Sequence, residues 1–258
     1  MKKKIDIIVE ARLSSKRLPK KVMLEVLERP LLDLMIERLK KINLVESIII
    51  ATTTNKIDDE IVNLANNSEV KFFRGSENDV LGRVVGAAKE NNTDIIVQIT
   101  GDNPLVDKET VENIIKFYTS NQDKYDFVSN DVGIYNDVFK QEFPMGLNTK
   151  VFASSLLFDV EKITTNIVDR EHVPNYILKN YNKYRVHNFK AENKYCRPDL
   201  RFTLDYQEDY EVIKLIYENL YKKNKNFSAI DIFDFLDKNP NIKKINSHRK
   251  QQKYNYSK

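Results

Sequence analysis

The sequence predicts an α/β protein built on a mostly parallel central sheet flanked by helices, and three observations carry that expectation. Short runs dominated by Ile and Val recur at residues 5–9, 46–51 and 94–99, with the length and composition of buried strands. Between them, apolar residues return at helical spacing. Polar clusters follow the ends of these strands, where open α/β sheets gather their ligand loops.

In chain order, residues 5–9 read as the first strand. Leu31, Leu32, Leu34, Met35, Ile36 and Leu39 give residues 31–41 a helical period. Residues 46–51 are a second strand, left by the loop 52–55, and Asp58, Asp59 and Glu60 open a helix with acids at its positive end. A strand at 70–74, a helix over 78–91, the most apolar strand at 94–99 and a helix at 110–118 continue the alternation. The rhythm then changes. Residues 126–129 predict a strand, 130–144 irregular chain, 145–152 a strand, 153–161 and 169–180 helices, and 184–188 and 201–204 strands. Helices over 207–222 and 229–238 follow. No repeat or Gly/Pro/Ser-rich linker interrupts the chain. The economical division is one domain over 1–240, with a less regular lobe at about 130–200, and a basic, flexible tail over 241–258.

Composition narrows the classes. At 258 residues, 41% hydrophobic and 31% charged, the chain is globular rather than disordered. No apolar run approaches the roughly 20 residues that span a bilayer. The segment after Met1 is too short and lacks the cleavage site of a signal peptide. Cys196 is the only cysteine, so no internal disulfide forms and a cytoplasmic location is expected. A net charge of +4 is mild, and neither a nucleic-acid nor a membrane partner is expected. There is no P-loop, zinc motif or nucleophile elbow.

The loop after the first strand holds Arg12, Lys16, Arg17, Lys20 and Lys21 with almost no acid to neutralise them. Such a loop suits a polyphosphate, or is a solvated basic turn. Its residues Ala11-Arg12-Leu13-Ser14-Ser15-Lys16-Arg17-Leu18-Pro19-Lys20-Lys21 read A-R-x-x-S-x-R-L-P-x-K. This resembles the signature of the sugar-activating cytidylyltransferases, the acylneuraminate, ketodeoxyoctulosonate and spore coat polysaccharide enzymes. One departure stands out, since that family carries glycine near Ser14 and at Lys20. More of the phosphate contact is therefore expected from side chains.

Further motifs follow in family order. Taken alone, Gly101-Asp102 favours a helix cap at Asp102; but Gly101, Asp102, Pro104 and Leu105 match G-D-x-P-L, whose aspartate the resemblance makes a magnesium ligand. Thr203, Asp205, Glu208 and Asp209 match the segment carrying the second metal aspartate, which maps to Asp205, with Glu208 and Asp209 expected to be idle first-turn acids. Arg74-Gly75-Ser76 with Asp79, Val80, Leu81 and Arg83 match R-G-S-x-x-D-V-L-x-R of the spore coat branch. Arg74 is expected at base or ribose, and Asp79 is a ligand or a helix cap. Backbone groups at Ala11 and Thr52 are expected on the pyrimidine edge. The segment 143–152 resembles P-x-G-L-D-V-E-V-F, with Asn148 and Lys150 in place of two acids, an exchange that favours an anionic acceptor. Arg170-Glu171-His172-Val173 matches R-E-H-V; His172 either faces the acceptor or packs structurally.

The resemblance implies a Rossmann-like nucleotide-diphospho-sugar transferase fold and transfer of CMP from CTP to a sugar or sugar acid. It places Arg12, Arg17, Lys21 and Asp102 in catalysis. Nucleotide binding falls to Ala11, Arg12, Ser14, Arg17, Lys21, Thr52, Arg74, Asp79, Gly101 and Asp102, and acceptor binding to Gln98, Asn148, Lys150, Arg170 and His172. Mg²⁺ is expected on Asp102 and Asp205, and a homodimer through the 130–200 segment. Use of another nucleotide or a phosphorylated acceptor, and a non-catalytic nucleotide-binding role, remain open.

Overall fold

The structure, a computed structural model, describes residues 3–135 and 138–249. Strand β1 (Ile5–Glu10) lies at the centre. Its alternation sends Ile7 and Val9 to one face and Ile8 to the other, and all three are fully buried, as a strand covered on both sides requires. A small hairpin, β2 (Glu25–Val26) and β3 (Arg29–Pro30), precedes α1 (Leu31–Leu39). It turns on Leu27 and Glu28, both with positive φ (54° and 59°). It lacks the Asn-Gly or Asp-Gly that usually marks such a turn, so no local pattern announces it.

The chain continues through β4 (Ser47–Thr53), α2 (Asp59–Asn67), β5 (Lys71–Gly75), α3 (Val80–Glu90), β6 (Ile95–Thr100) and α4 (Lys108–Ser120). Next come β7 (Phe127–Ser129), α5 (Val132–Tyr135), β8 (Lys150–Ala153), α6 (Ser154–Ile163), α7 (Ile167–Glu171), α8 (Asn175–Lys179) and β9 (Val186–Asn188). Helices α9 (Gln207–Leu220), α10 (Ala229–Lys238) and α11 (Pro240–Lys244) follow. One sheet of order β5-β4-β1-β6-β8-β7-β9 results, in which only β8 runs against its neighbours. Helices α1, α2 and α4 cover one face, while α3, α6 and α8 cover the other. The mostly parallel, helix-flanked sheet agrees with the sequence.

Two features place the site. From β1 the chain passes outward to β4 and β5, then returns to the other side of β1 as β6. The carboxyl ends of β1 and β6 therefore form the switch point at which such sheets bind ligands. A third apolar cluster, built by α9 and α10, includes Leu105, Phe143, Leu147, Phe202 and Leu204. It anchors the late segment 201–205 beside the early strands.

Four local expectations differ. The strand expected over 145–152 begins at Lys150, with only an isolated bridge from Met145 to Arg201, because Gly146 has φ +96°, outside any strand. That same bridge is all of the strand expected at 201–204. The helix expected over 169–180 divides into α7 and α8 ahead of Pro174, which disfavours helical geometry in the residue before it. Of the tail expected over 241–258, the described residues up to 249 carry the end of α11 and a buried Asn246, and 250–258 lie outside the described residues.

Candidate active site

The loop after β1 is tied down at several points. Ala11 donates its N–H to the Ala51 carbonyl (3.2 Å), and Lys20 to that of Leu13 (3.1 Å). The Leu13 N–H is held by the buried Asp58 carboxylate (2.8 Å), which also accepts from the Thr53 hydroxyl. Lys20 stands at φ 53°, ψ 26°, the left-handed conformation that glycine adopts without penalty and that costs a residue with a Cβ roughly 1–2 kcal/mol. The position where related loops carry glycine is thus a real conformational demand, met here under strain.

Four charged groups meet at the switch point. Lys21 Nζ donates to Asp102 Oδ2 (2.7 Å) and to Asp205 Oδ1 (3.0 Å), and Arg17 Nη2 donates to Asp205 Oδ1 (2.6 Å). Asp102 follows β6, where Gly101 packs so closely on β1 that its N–H reaches the Glu10 carbonyl at 2.8 Å; an added Cβ would sit 2.9 Å from that oxygen. Asp205 does not end a strand. It is brought in by the Met145–Arg201 bridge and by Leu204, whose N–H bonds the Asp102 carbonyl (2.8 Å). Gly146 makes this approach possible, since a Cβ there would lie 2.4 Å from the Phe202 backbone.

The electrostatics follow from that packing. Burial pushes the Asp102 carboxyl up, but the Lys21 charge and the hydrogen bonds from Lys21 and Thr100 outweigh it and hold Asp102 below its ordinary 3.8. Burial disfavours the Lys21 ammonium, yet Asp102 and Asp205 raise it above its ordinary 10.5. Arg17 is raised in the same way by Asp205, against burial, and its guanidinium lies over the Tyr206 ring at 5.3 Å. The cluster sets the Lys21 ammonium and the Arg17 guanidinium against the side chains of Asp102 and Asp205.

A model of the cytidylyltransferase family matches residues 7–232. The chain belongs to that family. It is a nucleotidyltransferase, in agreement with the loop motifs. A protein of Methanocaldococcus jannaschii carrying no assigned function is 38% identical over 253 residues, covering 97% of this chain and 98% of its own length. The spore coat polysaccharide biosynthesis protein SpsF of Bacillus subtilis is 30% identical over 242 residues, covering 92% and 95%. Among solved structures, a cytidylyltransferase from Leptospira borgpetersenii matches with a TM-score of 0.86 and 32% identity, covering 97% of this chain and 100% of that one.

The other residues singled out in this cytidylyltransferase fall into two groups. Arg12, Ser14 and His172 lie with the cationic loop. Arg12 Nη1 (3.3 Å), the Ser14 hydroxyl and Asn55 Nδ2 (2.6 Å) all donate to Glu77, whose carboxyl is lowered by the Ser14 and Asn55 hydrogen bonds. Burial lowers the His172 imidazole, with Glu171 opposing and Arg12 adding. Gln98 donates to Glu10, a carboxyl raised chiefly by burial. Thr52 and Ala11 are buried beside these strand ends.

The second group is engaged within the fold. Arg74 spends its donors on the loop after β4, on Thr53 O (2.8 Å), Asn55 O (2.9 Å) and Asp59 (2.6 Å). Asp79 caps α3 by accepting from Gly82 N (2.9 Å) and pairs with Arg170 (2.9 and 2.5 Å). Lys150 is buried against Asp131 at 2.7 Å, and Asn148 accepts from the Gly146 N–H (3.3 Å). With Asp131 beside Lys150, the exchange of acids adds no unmatched positive charge and gives no preference for an anionic acceptor. Asp58 was read only as a helix-opening acid, and Glu77, Glu10 and Asp131 escaped the sequence reading. Only Glu77, inside the R-G-S motif, had a signal that could have revealed it. The cleft of about 660 Å³ that includes residues of α1 and α2 contains none of the predicted site residues.

Proposed function

We propose that this enzyme transfers CMP from CTP to a hydroxyl of a sugar or sugar acid, releasing pyrophosphate, to supply a surface polysaccharide or glycoconjugate. The observation that carries it is the Lys21 ammonium held between Asp102 and Asp205 at the switch point. Two carboxylates that share one cation suit Mg²⁺, which usually takes one or two carboxylates and completes its shell with substrate phosphates and water. Asp102 and Asp205 would hold it, and when bound it would neutralise charge on the phosphate oxygens.

The chain's own residues supply the rest. In the reaction a bond forms from the acceptor oxygen to the α-phosphorus as the bond to pyrophosphate breaks, and negative charge gathers on the surrounding oxygens. Arg12, Arg17 and Lys21 are placed to meet that charge, with Ser14 as a further donor. Ala11, Gly101 and Thr52 line the nucleotide side. Gln98 and His172 face the acceptor side, and His172 is held neutral enough by burial to accept a proton from a hydroxyl. Arg74, Asp79 and Arg170 shape the walls.

We assign the active form as a homodimer. Of the five exposed large apolar side chains among the described residues, Val138, Ile163, Ile167 and Tyr181 lie in the 130–200 segment, with Ile167 at 76% exposure. No helix of the described residues is long and apolar enough to cross a membrane, and the cytoplasm is where CTP is available. The test is pyrophosphate release from CTP and Mg²⁺ against sugar acids, neutral sugars and phosphorylated polyols. Turnover with CTP and one acceptor class is expected. Turnover with a purine nucleotide in place of CTP would refute the assignment.

A further inference from the structure

The family match ends at residue 232, yet the chain runs on through α11 and folds back onto the segment that carries Asp205. Ile242 and Ile245 pack on the α9–α10 cluster. Asn246, 4% exposed, donates its amide to the Arg201 carbonyl (3.0 Å) and to Asp209 Oδ1 (3.0 Å). Arg249 follows with a bond to Glu208 (2.6 Å) and a stack over Tyr206 (4.4 Å).

Asp209 is more than a first-turn acid. It is fully buried and also accepts from Arg201 Nε (2.9 Å), Arg201 Nη2 (3.2 Å) and the backbone N–H groups of Asp205 and Tyr206 (3.0 Å each). Arg201 Nη2 in turn donates to Asp205 Oδ2 (3.1 Å). One oxygen of Asp205 is thus fixed from behind while the other faces Lys21 and Arg17. Helix capping would need only the backbone contacts. The additional guanidinium and amide make a rigid mount, of the kind that orients a metal-binding carboxylate from outside its coordination shell.

We infer that Asn246, acting through Asp209 and Arg201, is a positioning residue for the Asp205 carboxylate, so that the C-terminal extension is part of the active site. This rests on the assignment of Asp205 as a metal-binding group. An amide suits the place because its two N–H groups serve two acceptors without adding charge beside Asp209.

The test uses the full chain with Mn²⁺ and CTP, without an acceptor, and reads free Mn²⁺ by electron paramagnetic resonance and metal-free CTP binding by calorimetry. Asn246→Ala is expected to weaken Mn²⁺ binding about tenfold, leave metal-free CTP binding within about twofold, and be partly rescued by Asn246→Ser, which keeps one donor. Ile242→Ala, which loosens the same segment by packing alone, should lower the melting temperature and leave Mn²⁺ affinity in place. Unchanged Mn²⁺ affinity in Asn246→Ala, while Asp205→Asn loses it, overturns the positioning role alone. If Asp205→Asn binds Mn²⁺ normally, the metal assignment and this inference both fall. An equal Mn²⁺ loss in Ile242→Ala at equal melting temperature also overturns it, leaving a purely structural tail.

Discussion

Replacing Lys21 by methionine keeps most of the side chain's bulk and removes the one charge that Asp102 and Asp205 share. At an effective dielectric of 20, contacts of 2.7 and 3.0 Å correspond to about 6 and about 5.5 kcal/mol of gross attraction. Desolvation of the three groups cancels most of this. What remains when one partner of a buried pair is removed is typically about 3–5 kcal/mol. Lys21 and Asp205 are 13% and 4% exposed and Asp102 25%, which places Lys21→Met at the low end, about 3 kcal/mol. The pH dependence fixes the sign. Asp102 has a lowered folded pKa, so its contribution is present above the unfolded 3.8 and is lost as pH falls through the folded value. Lys21 has a raised folded pKa, so its contribution is complete below 10.5 and is lost as pH rises through the folded value. The stability gap between wild type and variant is therefore widest between these limits and closes toward acid. Urea unfolding of both proteins from pH 7 downward measures it, and steady-state kinetics should show kcat/KM reduced by on the order of 10²-fold or more. A variant as stable as wild type at pH 7, or a gap that persists unchanged once Asp102 is protonated, would show that Lys21 does not stabilise the fold through these carboxylates.

Asp79→Ala removes the α3 cap and the Arg170 pair and should cost about 1–2 kcal/mol of stability with KM for CTP nearly unchanged; a large rise in KM would instead make Asp79 a nucleotide ligand. Gly146→Ala meets both the positive φ and the Phe202 backbone, so a loss above about 2 kcal/mol is expected by chemical denaturation, whereas wild-type stability would contradict the close approach that delivers Asp205. Light scattering should find a dimer at micromolar concentration and a monomer for Ile167→Asp; an unaffected dimer would move the interface elsewhere.

Some of this was legible because it is local. Strands such as 5–9 and 94–99 announce themselves by composition, and helices such as 31–41 by period, since burial on a two-faced sheet dictates both. The cationic loop, Gly101-Asp102 and the motif around Asp205 were readable as patterns, and each lies where the pattern put it along the chain. What the pattern could not say is what meets what. Asp58 read as a helix-opening acid and Glu77 went unremarked inside its motif, yet both hold the loop. Lys150 was read as a base in place of an acid, and only the fold sets Asp131 beside it; Arg74 was read as a base or ribose contact, and only the fold shows its donors on Thr53, Asn55 and Asp59. Asp209 read as a dipole-stabilised first-turn residue and Asn246 as part of a frayed tail. Only the fold brings residues 21, 102, 201, 205, 209 and 246 together, because long-range packing of the α9–α10 cluster and the glycine approach at 146 decide those distances. Period and propensity act over a few residues, whereas the charges of this site are paired across much of the chain.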